Sequence, residues 1–450
     1  MKADIVVIGG GASGLMAAYS AARTAVDAGS DISVVVLEKM PRPGRKIMIT
    51  GKGRCNFTNL KDWNSFSAHI RSKSNFVKSA FYTLPSDKVI EFFEGFGMET
   101  VVERGERAFP ASHHASDVVD TLVSACNSVG VKILCESEVT EVRTGDPFRL
   151  TLADGSGWTC RKLIMATGGL SYPGTGSTGD GYRWAEESGH RISPLFPSLT
   201  ALVPADYKIR EDKQLHIHRD SPLGELGQKL CGIQLKNVQA TLYIDSDEAQ
   251  SEFGDIDFTD GGIEGPIGFQ LSRKAVKAMT NGSKTALSLD LKPGVSLTEV
   301  TQRVKDLWSE IDKDPRSRRL REKERCRILL GKLMPWDLIP AFTQMHPEIM
   351  TLERRSRTET KVWVNLVSIA KALKEWRFEI AGYVGYERAV VTAGGVSTDD
   401  VVPKTMESRV VPGLYFCGEL LDIDSDTGGY NLQTAFSTGA LAGRSAASRI

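Results

Sequence analysis

The apolar and polar positions of the first forty residues predict a strand, a helix and a second strand. Residues 4–8 (DIVVI) and 32–37 (ISVVVL) are apolar runs of strand length. Between them, small and apolar residues recur at helical spacing in the segment SGLMAAYSAARTAVDAG. The order strand, glycine-rich turn, helix and strand is typical of a βαβ unit that binds a nucleotide at the helix N-terminus.

Further along the chain, the pattern changes in a way that predicts several domains. Strand-like alternation and glycine-rich turns begin near residue 197, and residues 298–376 are helix-like and highly charged. The chain then returns to strand–turn segments and a closing helix of small residues. We therefore predict an α/β domain built from both ends of the chain, a β-rich insert and a helical subdomain nested in that insert. Their predicted boundaries are 1–196 with 380–450, 197–297 and 298–379.

The composition argues against several classes of protein. The chain has 450 residues, with 56 basic and 56 acidic side chains, so no overall field attracts nucleic acid or an anionic membrane. Its longest apolar runs are far shorter than the ~20 residues of a membrane span, and the N-terminal strand leaves no room for a signal peptide. We expect a cytoplasmic protein with no membrane partner, and we do not expect nucleic acid as its main partner.

The cysteines and histidines give no sign of a metal centre. Seven cysteines are scattered along the chain without a C-x-x-C pair, which argues against a disulfide framework, a zinc ribbon and a dithiol redox motif. His216 and His218 alternate along an apparent strand, but no cysteine or carboxylate is spaced to complete a site. We expect no metal.

The pattern G-x-G-x-x-G occurs at residues 9–14 (GGGASG) and has the context of a dinucleotide site. Gly9 permits the tight turn, Gly11 lets the backbone approach a pyrophosphate, and Gly14 allows close packing of helix and strand. Glu38, at the end of the second strand, is placed to accept hydrogen bonds from a ribose hydroxyl. The motif therefore predicts a bound dinucleotide.

The same pattern recurs at residues 174–179 (GTGSTG), which we call the second glycine loop. A strand precedes it, but Pro173 and other loop residues intervene, and no strand ending in an acidic residue follows at the required distance. We expect no independent nicotinamide site here. The loop either turns the chain or covers a cofactor.

Five blocks of the sequence, in order, carry a resemblance to a known family. They are IVVIGGGASGLMAA, EKMPRPGRKIMITGKGRCNFTN, MATGGLSYPGTGSTGDGYRWAEESGH, TAGGV and GLYFCGELLDIDSDTGGYNLQTAFSTGALAG. Together they resemble bacterial FAD-dependent flavoproteins, the NAD(P)/FAD-dependent oxidoreductases related to aminoacetone oxidase and to bile-acid reductase flavoproteins, over nearly the whole chain. The resemblance implies a discontinuous Rossmann-like FAD domain of the glutathione-reductase type. An inserted β-barrel-like domain would carry the small helical subdomain.

The resemblance also implies which residues bind FAD. Around the AMP half these are Gly9, Gly11, Ala12, Ser13, Gly14, Glu38 and Lys39, with Val139, Ala166, Thr167 and Gly168 near the adenine. Near the pyrophosphate and flavin they are Arg45, Lys46, Gly51, Gly53, Arg54, Cys55 and Asn56. Near the ribityl chain and the flavin ring they are Gly418, Glu419, Gly429, Tyr430, Asn431, Leu432 and Gln433. The resemblance also places the second glycine loop beside the flavin. We therefore interpret this loop as part of the cofactor's cover and the substrate's entrance, with Gly176, Gly179 and Asp180 opening a helix toward the flavin.

Two departures from the family pattern concern the flavin and the substrate. Lys52 stands where a third glycine is expected, and FTDGGIEGP at 258–266 replaces the more usual Thr-His-x-Gly-x-Ser-Gly-Pro, so the substrate side has room to differ. Cys55 and Cys417 have no partner cysteine nearby in sequence, and we interpret both as small packed residues.

The chemistry expected from the resemblance is hydride transfer through flavin N5 to or from a small organic substrate, with NAD(P)H as a transient donor. A flavin amine oxidase that uses O2 and an aminoacetone-like substrate is an alternative. A second alternative is a flavoprotein that binds RNA or a protein partner through the basic run 316–327, with 353–361. Tyr172, Tyr430 and Arg54 are candidate catalytic residues, without an assigned acid or base. The sequence leaves the oligomeric state open.

Overall fold

The structure is a computed structural model that describes residues 1–210, 212–354 and 360–450. It forms two units. The first combines Met1–Ser198 with Ala389–Ile450, and the second is Leu199–Arg388. Within the described ranges, we find no helix with the length and apolar character needed to cross a membrane.

The described helices and strands are numbered in chain order. The helices are α1 (Ala12–Asp27), α2 (Arg45–Ile49), α3 (Trp63–Ser67), α4 (Ser74–Thr83), α5 (Ser86–Gly95), α6 (Ala115–Ser128), α7 (Asp180–Glu187), α8 (Glu225–Leu230), α9 (Gly265–Thr280), α10 (Leu297–Lys313), α11 (Glu322–Leu333), α12 (Ile339–Met345), α13 (Leu366–Lys374) and α14 (Gly428–Ala447). The strands are β1 (Lys2–Ile8), β2 (Val34–Leu37), β3 (Thr58–Asn59), β4 (Thr100–Glu103), β5 (Arg107–Pro110), β6 (Lys132–Leu134), β7 (Val139–Arg143), β8 (Phe148–Leu152), β9 (Gly157–Met165), β10 (Ile192–Ser198), β11 (Leu202–Pro204), β12 (His216–Ile217), β13 (Gln234–Ile244), β14 (Asp247–Thr259), β15 (Gly262–Glu264), β16 (Thr285–Asp290), β17 (Met350–Arg354), β18 (Thr360–Val364), β19 (Trp376–Val384), β20 (Val391–Val396) and β21 (Leu414–Phe416).

The main sheet of the first unit has the strand order β6-β2-β1-β9-β8-β7, and β21 pairs with β9. Its central pairs β6-β2, β2-β1, β1-β9 and β9-β21 are parallel, whereas β7, β8 and β9 form an antiparallel extension. Ile5, Val6 and Val7 are fully buried because parallel strands are covered on both faces, which explains the unbroken apolar runs in the sequence. This sheet confirms the predicted discontinuous Rossmann-type domain.

The two ends of the chain meet through close packing of α1 against α14. A Cβ atom built on Gly439 would lie 2.3 Å from the Ser13 carbonyl oxygen, and one on Gly443 would lie 2.0 Å from that of Ala17. Only glycine allows the two backbones to approach this closely. The small residues of the C-terminal helix therefore hold it against the helix that follows the first glycine motif.

The second glycine loop is not part of another parallel βαβ unit. It connects β9, through a short 3-10 turn, to α7. The strand that follows, β10, pairs antiparallel with β20 in a separate two-stranded sheet. The structure thus gives the second G-x-G-x-x-G a different setting from the first, as its sequence context predicts.

The second unit contains a closed six-stranded barrel in the order β11-β15-β14-β13-β16-β19, with β19 pairing back to β11. All six pairings are antiparallel, and Phe258, Trp376 and Phe378 are buried within the unit. The barrel confirms the β-barrel-like insert that the resemblance implies. Its strand β19 runs across position 380, the boundary predicted from the sequence, because its residues pair with β11 and β16.

Candidate functional site

A large cavity lies in the first unit where β1, β2 and β9 end and α1 begins. It has a volume of about 1280 Å³, including solvent at its mouth. Sixteen of the residues predicted to bind FAD line it: Gly9, Gly11, Ala12, Ser13, Glu38, Lys39, Arg45, Lys46, Val139, Ala166, Thr167, Gly168, Gly418, Glu419, Asn431 and Leu432. The cavity therefore brings together residues from all three groups that the resemblance assigns to FAD: the AMP half, the pyrophosphate and the ribityl–flavin part.

Other predicted residues lie outside the cavity lining. They are Gly14, Gly51, Gly53, Arg54, Cys55, Asn56, Tyr172, Gly429, Tyr430 and Gln433. The structure also places Gly176 and Asp180 of the second glycine loop region in the lining, together with residues that the resemblance did not single out: Ile8, Leu37, Arg42, Gly44, Ile47, Thr50, Ser137, Thr175, Ser177, Trp184, Val390, Val391, Ile423, Gly428, Thr434 and Ala435. Most of them lie within the five sequence blocks that carry the resemblance, and that position is the signal that could have found them.

The three glycines of the first motif have three different surroundings. Gly9 has a φ of 102°, and a Cβ atom there would lie 2.5 Å from the Ala166 carbonyl oxygen. A Cβ atom on Gly14 would lie 1.9 Å from the Gly9 carbonyl oxygen. By contrast, a Cβ atom on Gly11 would meet no protein atom within 4 Å, although Gly11 lines the cavity. Gly9 and Gly14 are required by the fold, whereas Gly11 keeps space open at the N-terminus of α1.

Glu38 is fixed in orientation by two backbone donors. The Gly10 N–H donates to Oε2 at 2.7 Å, and the Met40 N–H donates to Oε1 at 2.8 Å. Burial raises the pKa of Glu38, and these two hydrogen bonds offset only part of that effect. Each carboxylate oxygen keeps a lone pair for a hydroxyl donor in the cavity.

Lys46 and Glu419, which both line the cavity, form a network with the Ser171 hydroxyl group and the Thr392 backbone N–H. Lys46 Nζ lies 2.8 Å from Glu419 Oε2 and donates to Ser171 Oγ at 3.0 Å. Ser171 Oγ and the Thr392 N–H both donate to Glu419 Oε1, at 2.6 and 2.8 Å. Burial acts to raise the pKa of Glu419, but Lys46 and these hydrogen bonds outweigh it and lower the pKa. The carboxylate is therefore held ionised within the wall.

The second glycine loop forms part of the same wall and is tied to Lys39. Gly176 and Ser177 line the cavity, and Gly176 has a φ of 102°. Lys39 Nζ lies 2.8 Å from Asp180 Oδ2, just beyond the loop. Burial acts to raise the pKa of Asp180, yet the hydrogen bonds from Lys39 and Thr178 lower it overall. The loop that resembled a second nucleotide motif thus borders the first one.

The three candidate catalytic residues have different environments. Arg54 contacts Glu103 and His113 and lies over the ring of Phe109, 4.5 Å from its centroid. Tyr430 is buried, and its ring stacks on that of His69 with 4.2 Å between centroids.

Tyr172 is half-buried and precedes the cavity-lining residues of the second glycine loop. Its carbonyl oxygen accepts hydrogen bonds from the Thr175 N–H at 2.8 Å and the Thr175 hydroxyl at 2.7 Å. Thr175 lines the cavity, so the segment of Tyr172 borders it, as does the segment of Tyr430 through Gly428 and Asn431.

Three residues of the cofactor blocks have local structural roles: Cys55 and Cys417 fill buried space, and Lys52 adopts an unusual backbone conformation. Cys55 and Cys417 are buried free thiols, and burial raises the pKa of each to about 12, so both are protonated. Lys52 has a φ of 56° and a ψ of 37°, the left-handed conformation that favours glycine. The expected third glycine would suit this backbone, and the lysine adopts the same conformation.

Comparison with known proteins agrees with this geometry. Residues 3–445 match the family model described as the HI0933-like protein Rossmann domain. The chain belongs to this family. It is therefore an FAD-dependent oxidoreductase, and the open space at Gly11 and the oriented carboxylate of Glu38 fit that cofactor.

Two full-length relatives and one solved structure are similar to this chain. The chain is 32% identical, over 99% of both chains, to the 3-dehydro-bile acid delta(4,6)-reductase of Clostridium scindens. It is also 32% identical, over 96% of both chains, to the ribosomal RNA dihydrouridine synthase of Haemophilus influenzae. Among solved structures, it resembles the quinol fumarate reductase of Escherichia coli at 14% identity and a TM-score of 0.48, over 100% of this chain and 70% of that one.

Proposed function

We propose that this protein reduces a carbon–carbon double bond conjugated to a carbonyl group, with NAD(P)H as the electron donor. The observation that carries the proposal is that two full-length relatives, named for a bile-acid reductase and a dihydrouridine synthase, both have names describing addition of hydrogen across such a bond. A carbonyl group conjugated to the double bond withdraws electron density from it. The β-carbon is therefore electrophilic and can accept hydride. The preferred substrate is a small unsaturated carbonyl compound.

In this proposal, the residues around the cavity hold FAD and set its charge environment. The N-terminus of α1 faces the pyrophosphate, Gly11 leaves room for it, and Glu38 accepts hydrogen bonds from a ribose. FAD, when bound, supplies hydride chemistry through N5 of its flavin ring. Lys46 places a positive charge in the wall, and Glu419 and Ser171 fix the position of its ammonium group.

The proposed donor binds transiently at the flavin. The described part of the chain offers one parallel βαβ unit with a glycine motif and a terminal acid, and the second glycine loop belongs to the wall of the same cavity. A nicotinamide cofactor with no domain of its own must therefore bind and leave within each catalytic cycle.

An anaerobic reduction experiment tests this proposal. The purified FAD-loaded protein is mixed with NADH, NADPH or aminoacetone, and the oxidised-flavin absorbance near ~450 nm is followed. We expect a nicotinamide to bleach it, and a 4-en-3-one steroid to restore it without O2. Bleaching by aminoacetone followed by reoxidation with O2 would instead support the amine oxidase alternative. Absence of reoxidation by any unsaturated carbonyl compound would count against the proposal.

A uridine base within RNA is a second candidate substrate. The Haemophilus influenzae relative is named for ribosomal RNA, and basic side chains cluster in residues 316–327 of the helical part. To test it, prereduced enzyme is incubated with ribosomal RNA transcribed in vitro, and the nucleosides are examined by mass spectrometry. Dihydrouridine above the level in a sample without enzyme would support this candidate, and its absence would leave small carbonyl compounds as the substrate class.

A further inference from the structure

Helix α11 presents a row of basic and small residues on its outer face. Its inner face buries Cys326, Leu329, Leu330 and Leu333. Lys323, Arg327 and Gly331 are four positions apart, so they follow one another along one side of the helix. Lys323 and Arg327 are exposed.

The row leads to an exposed tryptophan that is seated on the helix backbone. A Cβ atom on Gly331 would lie 2.4 Å from Cζ2 of Trp336, so the indole packs directly where a side chain would be. Trp336 is nevertheless 51% exposed, and the Arg327 guanidinium carbon lies 5.9 Å from the centroid of its ring. A glycine inside a helix costs about 1 kcal/mol relative to alanine. In α11 this cost arises at Gly331, where the absence of a side chain leaves room for the indole ring of Trp336.

The segment that leads along α11 toward this tryptophan carries mostly positive charge. Residues 316–327 contain seven basic and two acidic side chains. Arg325 is neutralised by Asp312, at 2.6 Å, and by Glu322, at 2.5 Å. The described side chains of Arg316, Arg319, Arg321, Lys323 and Arg327 are exposed. Asp337, next to Trp336, is an exposed carboxylate that opposes an anion. The basic residues at 353–361 have side chains outside the part that the structure describes.

We propose that Trp336 and Arg327, with the exposed basic side chains before them, form a docking surface for single-stranded RNA. An aromatic face stacks on any base, and flanking cations bind the phosphates, which is how sequence-tolerant single-strand binders work. A protein partner would need a wider apolar centre than one indole surrounded by charges. The proposal rests on the RNA candidate described above and specifies where the RNA is held.

A binding experiment on the FAD-loaded protein tests the surface without turnover. The anisotropy of a fluorescent oligouridine is measured at low and at moderate salt. We expect Trp336→Ala to weaken binding about ten-fold through lost stacking. Arg327→Gln should weaken it several-fold at low salt and lower the salt dependence, since one phosphate contact is lost. Asp337→Asn should strengthen binding.

Matched controls separate the surface from general effects. Lys305→Gln removes one exposed charge from α10, and Tyr82→Ala removes an exposed aromatic ring from the first unit. Neither should change RNA binding. Trp336→Phe keeps an aromatic face and should retain most of the affinity, which guards against a folding defect in Trp336→Ala.

The possible results distinguish this inference from the proposed function. Absence of oligouridine binding, or equal weakening by the controls and the surface variants, would overturn the docking surface. RNA binding that depends on Trp336 and Arg327, without formation of dihydrouridine, would support the surface and reject RNA as the substrate. If all variants reduce a steroid enone at the wild-type rate, the surface is needed for RNA binding and not for reduction of small substrates.

Discussion

Lys46 and Glu419 are 373 positions apart in the sequence, yet their side chains pair at 2.8 Å in the wall of the cofactor cavity. The pair joins the segment after the second strand to the segment before the C-terminal helix. Because both side chains are largely buried, each depends on the other to offset the loss of water.

We expect Lys46→Met to destabilise the protein without FAD by about 2 kcal/mol, since it leaves the Glu419 carboxylate unpaired in the wall. Urea unfolding at neutral pH measures the loss. Lys88→Met breaks an exposed helical pair with Glu91 and should have a much smaller effect, because water solvates both of these side chains. Equal effects of the two substitutions would show that the Lys46 pair contributes no more than a surface pair.

The lowered pKa of Glu419 predicts a specific dependence of stability on pH. Since the folded protein holds this pKa below its usual value of 4.5, the associated stability is present above pH 4.5 and is lost as the pH falls through the folded pKa. The free energy of unfolding of wild type should therefore approach that of Glu419→Gln as the pH falls below 4.5. A difference that stays constant between pH 7 and pH 3.5 would contradict this assignment.

Alanine substitutions at two glycines of one motif should have opposite consequences. Gly11→Ala places its methyl group in open space, so folding should be retained within about 1 kcal/mol while FAD affinity falls at least ten-fold. Gly14→Ala would clash with the Gly9 carbonyl and should destabilise the protein by several kcal/mol. Thermal unfolding and titration of the apoprotein with FAD measure both effects. If Gly11→Ala binds FAD as tightly as wild type, the pyrophosphate does not bind beside Gly11.

The contact between Lys39 and Asp180 should hold the second glycine loop over the cofactor. We expect Asp180→Asn to speed FAD dissociation several-fold, because the ion pair with Lys39 becomes a weaker hydrogen bond from the Lys39 ammonium to an uncharged amide oxygen. The rise in flavin fluorescence after a large dilution of the FAD-loaded protein reports the rate. Glu187→Gln, in the same helix but paired with Arg183 at the surface, is the control and should leave the rate unchanged.

Tyr172 and Tyr430 can be separated by removal of their hydroxyl groups. If Tyr172 donates a proton to the substrate, Tyr172→Phe should lower the rate of flavin reoxidation by an unsaturated carbonyl compound about 100-fold. Reduction by NAD(P)H should stay unchanged. Tyr430 is buried against His69, so Tyr430→Phe should leave both half-reactions near the wild-type rate. Equal rates for Tyr172→Phe and wild type would remove Tyr172 as the proton donor.

Sequence patterns predicted those parts of the fold that depend on local order. The apolar runs of β1 and β2 and the spacing of Gly9, Gly11 and Gly14 specify a strand, a tight turn and a helix within forty residues. Family resemblance added the barrel insert, because five ordered blocks constrain the whole chain. The FAD contacts of individual residues remain predictions.

Contacts between segments that are distant in the sequence could not be predicted from the sequence. A run such as GKGRCN does not show that Arg54 turns to Glu103 and His113 and lies outside the cavity lining. Likewise, helical spacing places Tyr430 and Asn431 side by side, but packing against His69 directs the tyrosine away from the cavity that Asn431 lines. Neighbours in a helix point about 100° apart, so a motif cannot assign both to one face.

The sequence by itself determined the βαβ unit, its glycine turn and the acid at the end of its second strand, because these depend on spacings of a few residues. Tertiary structure alone decided that Lys46 meets Glu419, that the second glycine loop borders the first nucleotide motif, and that Trp336 lies on Gly331. The physical reason is the range of the interactions. Backbone propensity and periodicity act between neighbours, whereas ion pairs and packing act between whichever segments the fold brings within a few ångströms.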